Sequence, residues 1–102
     1  MAIKKQYFKT KPYCKVTFLL SKEMARTARK VAIAGDFNEW KSDRTPMKAL
    51  KSGDFTATLQ LPKGHEYQYR FVLDDRMWVT DELADKQVYC QFANANNAVV
   101  VV

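Results

Sequence analysis

The chain has 102 residues, 47% of them apolar types, and a formal net charge of +6. That length makes one small domain with a single core, which excludes an active-site cleft between two domains and a catalytic barrel of roughly 250 residues. Its supply of aromatic and β-branched residues also excludes a disordered chain.

Residues 1–11 read as an N-terminal extension or an edge strand, with Lys4, Lys5, Lys9 and Lys11 spaced along it. Lysine on a sheet edge discourages unwanted strand pairing. From residue 12 to residue 102 the pattern is that of one continuous domain. Cys14, Val16, Phe18 and Leu20 alternate with Lys15, Thr17 and Leu19, the period of a strand with one face in a core. Ser21 to Lys30 has room for about one helical turn, with Ser21 as its N-cap. Val31-Ala32-Ile33-Ala34 is a short buried strand, broken by Gly35-Asp36-Phe37-Asn38 into a turn that delivers Trp40.

Ser52-Gly53-Asp54 opens a hairpin strand in which Phe55, Ala57, Leu59 and Leu61 alternate with polar residues. Pro62-Lys63-Gly64-His65 is a tight turn, read as the centre of a hairpin. Beyond it Tyr67, Tyr69, Phe71 and Leu73 alternate with Gln68, Arg70 and Val72. Asp74-Asp75-Arg76 is a further turn before Met77-Trp78-Val79, and Ala98 to Val102 form a closing strand. About seven short strands predict an all-β fold, an antiparallel β-sandwich of immunoglobulin-like size.

Catalytic chemistry finds little support. His65 is the only histidine and sits in a turn. Asp74 and Asp75 are adjacent, so their carboxylates diverge and make no acid–base pair across a substrate. No nucleophile with a recognisable flank, metal-ligand cluster or phosphate-cradling loop is present. The expectation is no enzyme, no cofactor and no metal. Cys14 and Cys90 are expected as free thiols, with an inter-strand disulfide as the open alternative. No stretch approaches the ~18 apolar residues of a membrane span, and the first residues lack a hydrophobic run of signal-peptide length. A cytoplasmic location away from membranes is the expectation.

The aromatics carry more information. A lone Trp in a small sandwich is more often core than platform. Here Phe37, Phe55, Phe71, Tyr67 and Tyr69 already supply bulky inward residues, and Trp40 and Trp78 each lie beside a polar turn. A fixed, exposed indole suits the apolar face of a pyranose ring. Arg70 points away from Tyr69 and Phe71 if the alternation holds, either as a solvated residue or as a donor fork for sugar hydroxyls. Asn94, Asn96 and Asn97 crowd the last turn, where an amide can shape the turn or meet a hydroxyl.

The motif Val31-Ala32-Ile33-Ala34-Gly35-Asp36-Phe37-Asn38-Glu39-Trp40, the segment Thr45-Pro46-Met47, the run Leu61 to Asp74, Trp78 and Asn96-Asn97 occur in this order. In them the chain resembles the glycogen-binding type of carbohydrate-binding module. These are the early-set domains of isoamylases and branching enzymes, and the glycogen-binding domain of the AMP-activated kinase β subunit. The likeness spans about residues 12–102 and is strongest to small stand-alone bacterial members. The resemblance implies an early-set sandwich that binds α-1,4-linked glucan without catalysis. It implies that Trp40 and Trp78 stack on glucose rings, that Arg70 and Asn96 meet sugar hydroxyls, that Phe92 presses into the curve of a helical glucan, and that Asn97 shapes the turn.

Two other readings compete. One is a protein-interaction module without sugar binding, docking onto a glycogen-metabolising enzyme or onto a second copy. The other is nucleic-acid binding through the basic half, since residues 1–51 carry 13 Lys+Arg against 4 Asp+Glu, a balance of +9, while residues 52–102 carry 4 against 7, a balance of −3. It ranks last, because no aromatics interleave with those lysines as stacking platforms for bases.

Overall fold

Alternation builds the strand on which the core is assembled. In the computed structural model, which describes residues 3–102, Cys14, Val16, Phe18 and Leu20 are all buried on one face of β2 (Tyr13–Leu20). Met1 and Ala2 of the expected N-terminal segment lie outside the described residues. β1 (Ile3–Tyr7) pairs antiparallel with β2 at the sheet edge. Ser21 then caps the single helical turn α1 (Lys22–Ala25), its Oγ accepting from Met24 N at 3.3 Å.

The remaining strands are β3 (Val31–Gly35), β4 (Lys48–Ala49), β5 (Phe55–Pro62), β6 (Glu66–Leu73), β7 (Met77–Val79), β8 (Lys86–Cys90) and β9 (Ala95–Val101). They form two antiparallel sheets. One has the order β1-β2-β5-β4; the other has the order β3-β6-β9-β8, with β7 also paired to β6. The architecture is therefore the expected all-β sandwich, with nine described strands rather than about seven. The extra strands are short or lie at sheet edges.

One expectation is corrected. The Pro62–His65 turn does not close a hairpin, because β5 and β6 belong to different sheets. Its backbone bonds run outward: Lys63 N donates to Pro12 O at 3.0 Å and Gly64 N donates to Val102 O at 2.8 Å. Gly64 at φ 82° lets the chain turn from one sheet to the other. The hairpin that does follow β6 runs through Asp74 and Asp75 into β7.

The two inner faces meet in an aromatic core. Phe18 packs edge-on against Tyr69 at 4.9 Å between centroids, and Tyr69 against Phe71 at 5.9 Å. Such pairs add about 0.5–1.5 kcal/mol each beyond the area they bury. Tyr69 is fully buried and satisfies its hydroxyl by donating to Asp81 Oδ2 at 2.6 Å. Burial, with the Asp81 charge beside it, pushes the Tyr69 hydroxyl far above its ordinary value. The same burial raises the Asp81 carboxyl, outweighing the bond it accepts from Tyr69.

β3 lies so close to β6 that only glycine fits at its end. A Cβ on Gly35 would stand 2.5 Å from Gln68 O and 2.8 Å from Tyr69 Cβ. The crowding lies on the inner face, where Gly35 pairs with Tyr69 and the ring of Phe37 stands 3.0 Å from the same point. Among the described residues no helix is long and apolar enough to cross a membrane.

Candidate functional site

The turn after β3 is a short 3-10 segment, Asp36–Asn38. Asn38 builds it from inside. Its Oδ1 accepts from Gly35 N, and its Nδ2 donates to Ile33 O and to Thr45 Oγ1, each at 2.9 Å. Glu39 at φ 60° and Trp40 at φ 59° then take left-handed backbone. For residues with a Cβ this costs about 1–2 kcal/mol each. The turn offsets the cost with two bonds to Trp40: its backbone N donates to Gly35 O and its indole Nε1 donates to Asp36 Oδ1, both at 2.9 Å. Asp36 Oδ2 in turn accepts from Gln68 N at 2.8 Å. A single carboxylate thus ties the Trp40 ring to strand β6.

Period-2 geometry places Gln68 and Arg70 on the outer face of β6, opposite inward Tyr69 and Phe71. Directly paired residues share a face. Gln68 pairs with Val99 on β9, and Val88 pairs with Asn97, so Asn97 joins that outer face. Its Nδ2 donates to Gln68 Oε1 at 3.0 Å. Arg70 is partly buried, and its Nε has no hydrogen-bond partner.

The second indole arrives from the next hairpin. Asp74 and Asp75 adopt φ 50° and φ 58° in the three-residue connection Asp74-Asp75-Arg76, whose turn Arg76 N closes by donating to Leu73 O at 3.0 Å. The Asp74 carboxyl is held below the usual range by the backbone N–H groups of Lys30 and Arg29. Trp78 pairs with Val72 on β6 and is exposed. The third wall is the β8–β9 turn. Tyr89 Oη donates to Asn94 Oδ1 across it, and Phe92 at its tip is 104% exposed, as open to water as in an extended peptide.

These pieces enclose a concavity of about 450 Å³. Trp40, Trp78 and Phe92 form its apolar walls; Asp36, Gln68, Arg70 and Asn97 its polar lining; Cys90 also faces it. Four residues singled out from the sequence, Trp40, Trp78, Arg70 and Phe92, therefore stand together. Asn96 does not line the concavity. Neighbouring β residues point to opposite faces, and Asn96 donates its amide to Gln87 Oε1 at 2.9 Å instead. The structure puts Asn97 in the lining, where the turn-forming residue was expected. The sequence reading also missed Asp36, whose signal was its position four residues before Trp40, and Gln68, which precedes Arg70 by one strand period. Cys14 and Cys90 are both free, Cys14 in the core and Cys90 at the concavity.

What the arrangement can do chemically follows from its walls. Two indoles and a phenyl ring offer flat apolar surface, while one guanidinium and two amides offer donors and acceptors within the same hollow. That combination fits a ligand with apolar faces and a hydroxyl rim. No curated protein matches the chain. A family model does, over residues 23–102, and its description is the glycogen recognition site of AMP-activated protein kinase. The match begins at α1 and spans β3 to β9, including every lining residue of the concavity. With that much of its length matched, the chain belongs to this family of glycogen-recognition modules.

Proposed function

We propose that the chain is a non-catalytic module that holds α-1,4-linked glucan in the concavity between Trp40, Trp78 and Phe92. The observation that carries this reading is the convergence of two indoles, one from the turn after β3 and one from strand β7, on one hollow with a polar lining. Trp40 and Trp78 each take the apolar face of a glucose ring. Stacking on one aromatic is worth ~1 kcal/mol or somewhat more. Arg70 lines the concavity and supplies hydroxyl-directed donors from its guanidinium. Asn97 and Gln68 hold each other's amides in place and present the remaining polar atoms to the sugar edge. Phe92, fully exposed at the turn tip, presses against the curved inside of the glucan.

Two platforms and a few hydrogen bonds give weak affinity for a short oligosaccharide, ~4–8 kcal/mol, or millimolar to micromolar. A polymer presents the same unit many times, and avidity raises retention without new contacts. The experiment is retention on immobilised glycogen. Trp40→Ala should pass through unretained while its circular dichroism and melting temperature stay near those of the wild type. A folded Trp40→Ala retained like the wild type would place the site elsewhere.

A further inference from the structure

A second hollow lies at one end of the sandwich, on the other side of the hairpin that carries Trp78. It has a volume of about 360 Å³, between the loop that leaves α1 and the β6–β7 turn. Its floor is apolar, made by Ala25, Ala28 and Leu73, and its rim is Arg26, Thr27, Asp74, Arg76 and the exposed Met77. Met77 and Trp78 are consecutive on β7, so their side chains project to opposite sides. Met77 borders this hollow and Trp78 the glucan concavity.

The charge at this end is unbalanced. Three of the chain's five arginines, Arg26, Arg29 and Arg76, stand on these two segments. The carboxylates here are already engaged. Asp74, the one acid in the lining, turns its Oδ1 to the backbone N–H groups of Arg29 and Lys30, at 2.9 and 3.0 Å, and stays ionised beside Arg76 and Arg29, so the lining holds two arginines against one carboxylate. Asp75 pairs with Lys30. Among the described residues every ion pair is made by a lysine, and no arginine has a carboxylate within bonding reach. Arg26 also holds a conformation at φ 56° and ψ −119°, a region that a residue with a Cβ rarely occupies. Glycine would sit there without strain.

Two guanidinium groups on the rim, a threonine hydroxyl and an apolar floor define a ligand chemistry. We propose that this hollow binds a small organic phosphate monoester. The phosphate carries a charge of about −1.5 to −2 and three acceptor oxygens, which guanidinium forks meet in pairs. The carbon part lies on Ala28 and Leu73, beside Met77. The hollow falls within the ~300–1,000 Å³ common for small-molecule sites. It shares no lining residue with the glucan concavity, so both can be filled together, and the inference stands independently of the glucan reading.

The test is a ¹⁵N–¹H titration of the whole chain with glucose 6-phosphate as probe, with inorganic phosphate and glucose as parallel arms. The expected result is saturable shifts confined to Ala25–Ala28 and Leu73–Met77, tighter for glucose 6-phosphate than for either parallel arm. Arg76→Gln and Arg26→Gln should each weaken it about tenfold, with glycogen retention unchanged. Arg26→Gly keeps the backbone relaxed at this φ and should lose the probe as Arg26→Gln does, so a binding loss cannot be assigned to misfolding. Absence of saturable shifts, equal binding in the arginine variants, or an equal response to inorganic phosphate or glucose would each overturn the proposal. Trp40→Ala should bind the probe like the wild type.

Discussion

The two outer faces of the sandwich are made by the same alternation and come out differently. On the four-stranded sheet, Lys4, Gln6, Lys15, Thr17, Thr56, Thr58 and Gln60 form a lattice of short polar side chains and lysines. Thr17 and Thr58 face each other at 3.1 Å between hydroxyls. No tryptophan stands there. On the five-stranded sheet, Gln68, Arg70 and Asn97 would make a similar polar face, but two turns carry Trp40 and Phe92 over its rim and the short edge strand β7 adds Trp78. A sheet face becomes a binding face here because of two turns and one edge strand; the longer strands supply the floor. This is the ordinary division between a rigid scaffold and function-bearing loops.

Substitutions that remove the aromatic walls should therefore have the largest effects. Trp40→Ala should abolish glycogen retention, and Trp78→Ala should weaken maltoheptaose about tenfold, against no change for Thr58→Ala or Lys15→Ala on the opposite face. Equal losses on the two faces, read by affinity electrophoresis in glycogen gels, would erase the distinction. Next in size is the floor. Arg70→Met keeps the aliphatic stem and removes the donors, and should cost about tenfold in affinity, the worth of a hydrogen bond to a charged group. Calorimetry with maltoheptaose reads it.

A smaller effect is expected at Asp36, which touches Trp40 and Gln68 rather than standing as a platform itself. Asp36→Ala removes two hydrogen bonds that fix the indole, each worth about 0.5–1.5 kcal/mol net. Affinity should fall roughly threefold to tenfold. The Trp40 indole proton should exchange faster with water, a readout that a loss confined to sugar contacts would not move.

The smallest effect concerns the core beneath the binding sheet. Asp81 is buried against Tyr69, and its carboxyl is raised by burial. A raised folded value means that the folded chain holds this proton more tightly than the unfolded chain. The Asp81 contribution to stability therefore grows as pH falls through the raised value. Asp74 acts in the opposite sense: its depressed value adds stability above the ordinary carboxylate range that is lost as pH falls through the lowered one. The melting-temperature difference between Asp81→Asn and wild type should be more positive at neutral pH than at about pH 4. A difference independent of pH would mean that Asp81 is not titrating in the core.

Much of this was legible in the residue order, for a physical reason. β2 and β6 each bury one face, so Cys14-Val16-Phe18-Leu20 and Tyr67-Tyr69-Phe71-Leu73 print a period of two. β8 buries neither face: Lys86 to Tyr89 are all exposed, and a strand without an inside leaves no alternation to read. The sheet change at Pro62–His65 was hidden because a hairpin and a crossing between sheets share the same local turn chemistry. What separates them is Lys63 bonding to Pro12 and Gly64 to Val102, contacts that sequence spacing does not display. In the site, Trp40, Trp78, Arg70 and Phe92 were visible from turn position, alternation and family likeness. Asn97 was not, because which of two adjacent amides faces the floor depends on the register of β9 against β6 and β8. Asp36 looked like a turn former and serves as one, and its second task, the bond to the Trp40 indole, needs the left-handed backbone at Glu39 and Trp40 to bring the ring back over it.

The chain has two tryptophans, so its spectrum holds two indole N–H signals, one for each proposed platform. Following both in a ¹⁵N–¹H titration with maltoheptaose tests the claim that they form one site. The account predicts that both signals move together along one saturation curve, with a dissociation constant in the micromolar-to-millimolar range of ~4–8 kcal/mol. Signals that stay fixed at saturating sugar, or that follow two different curves, would contradict it.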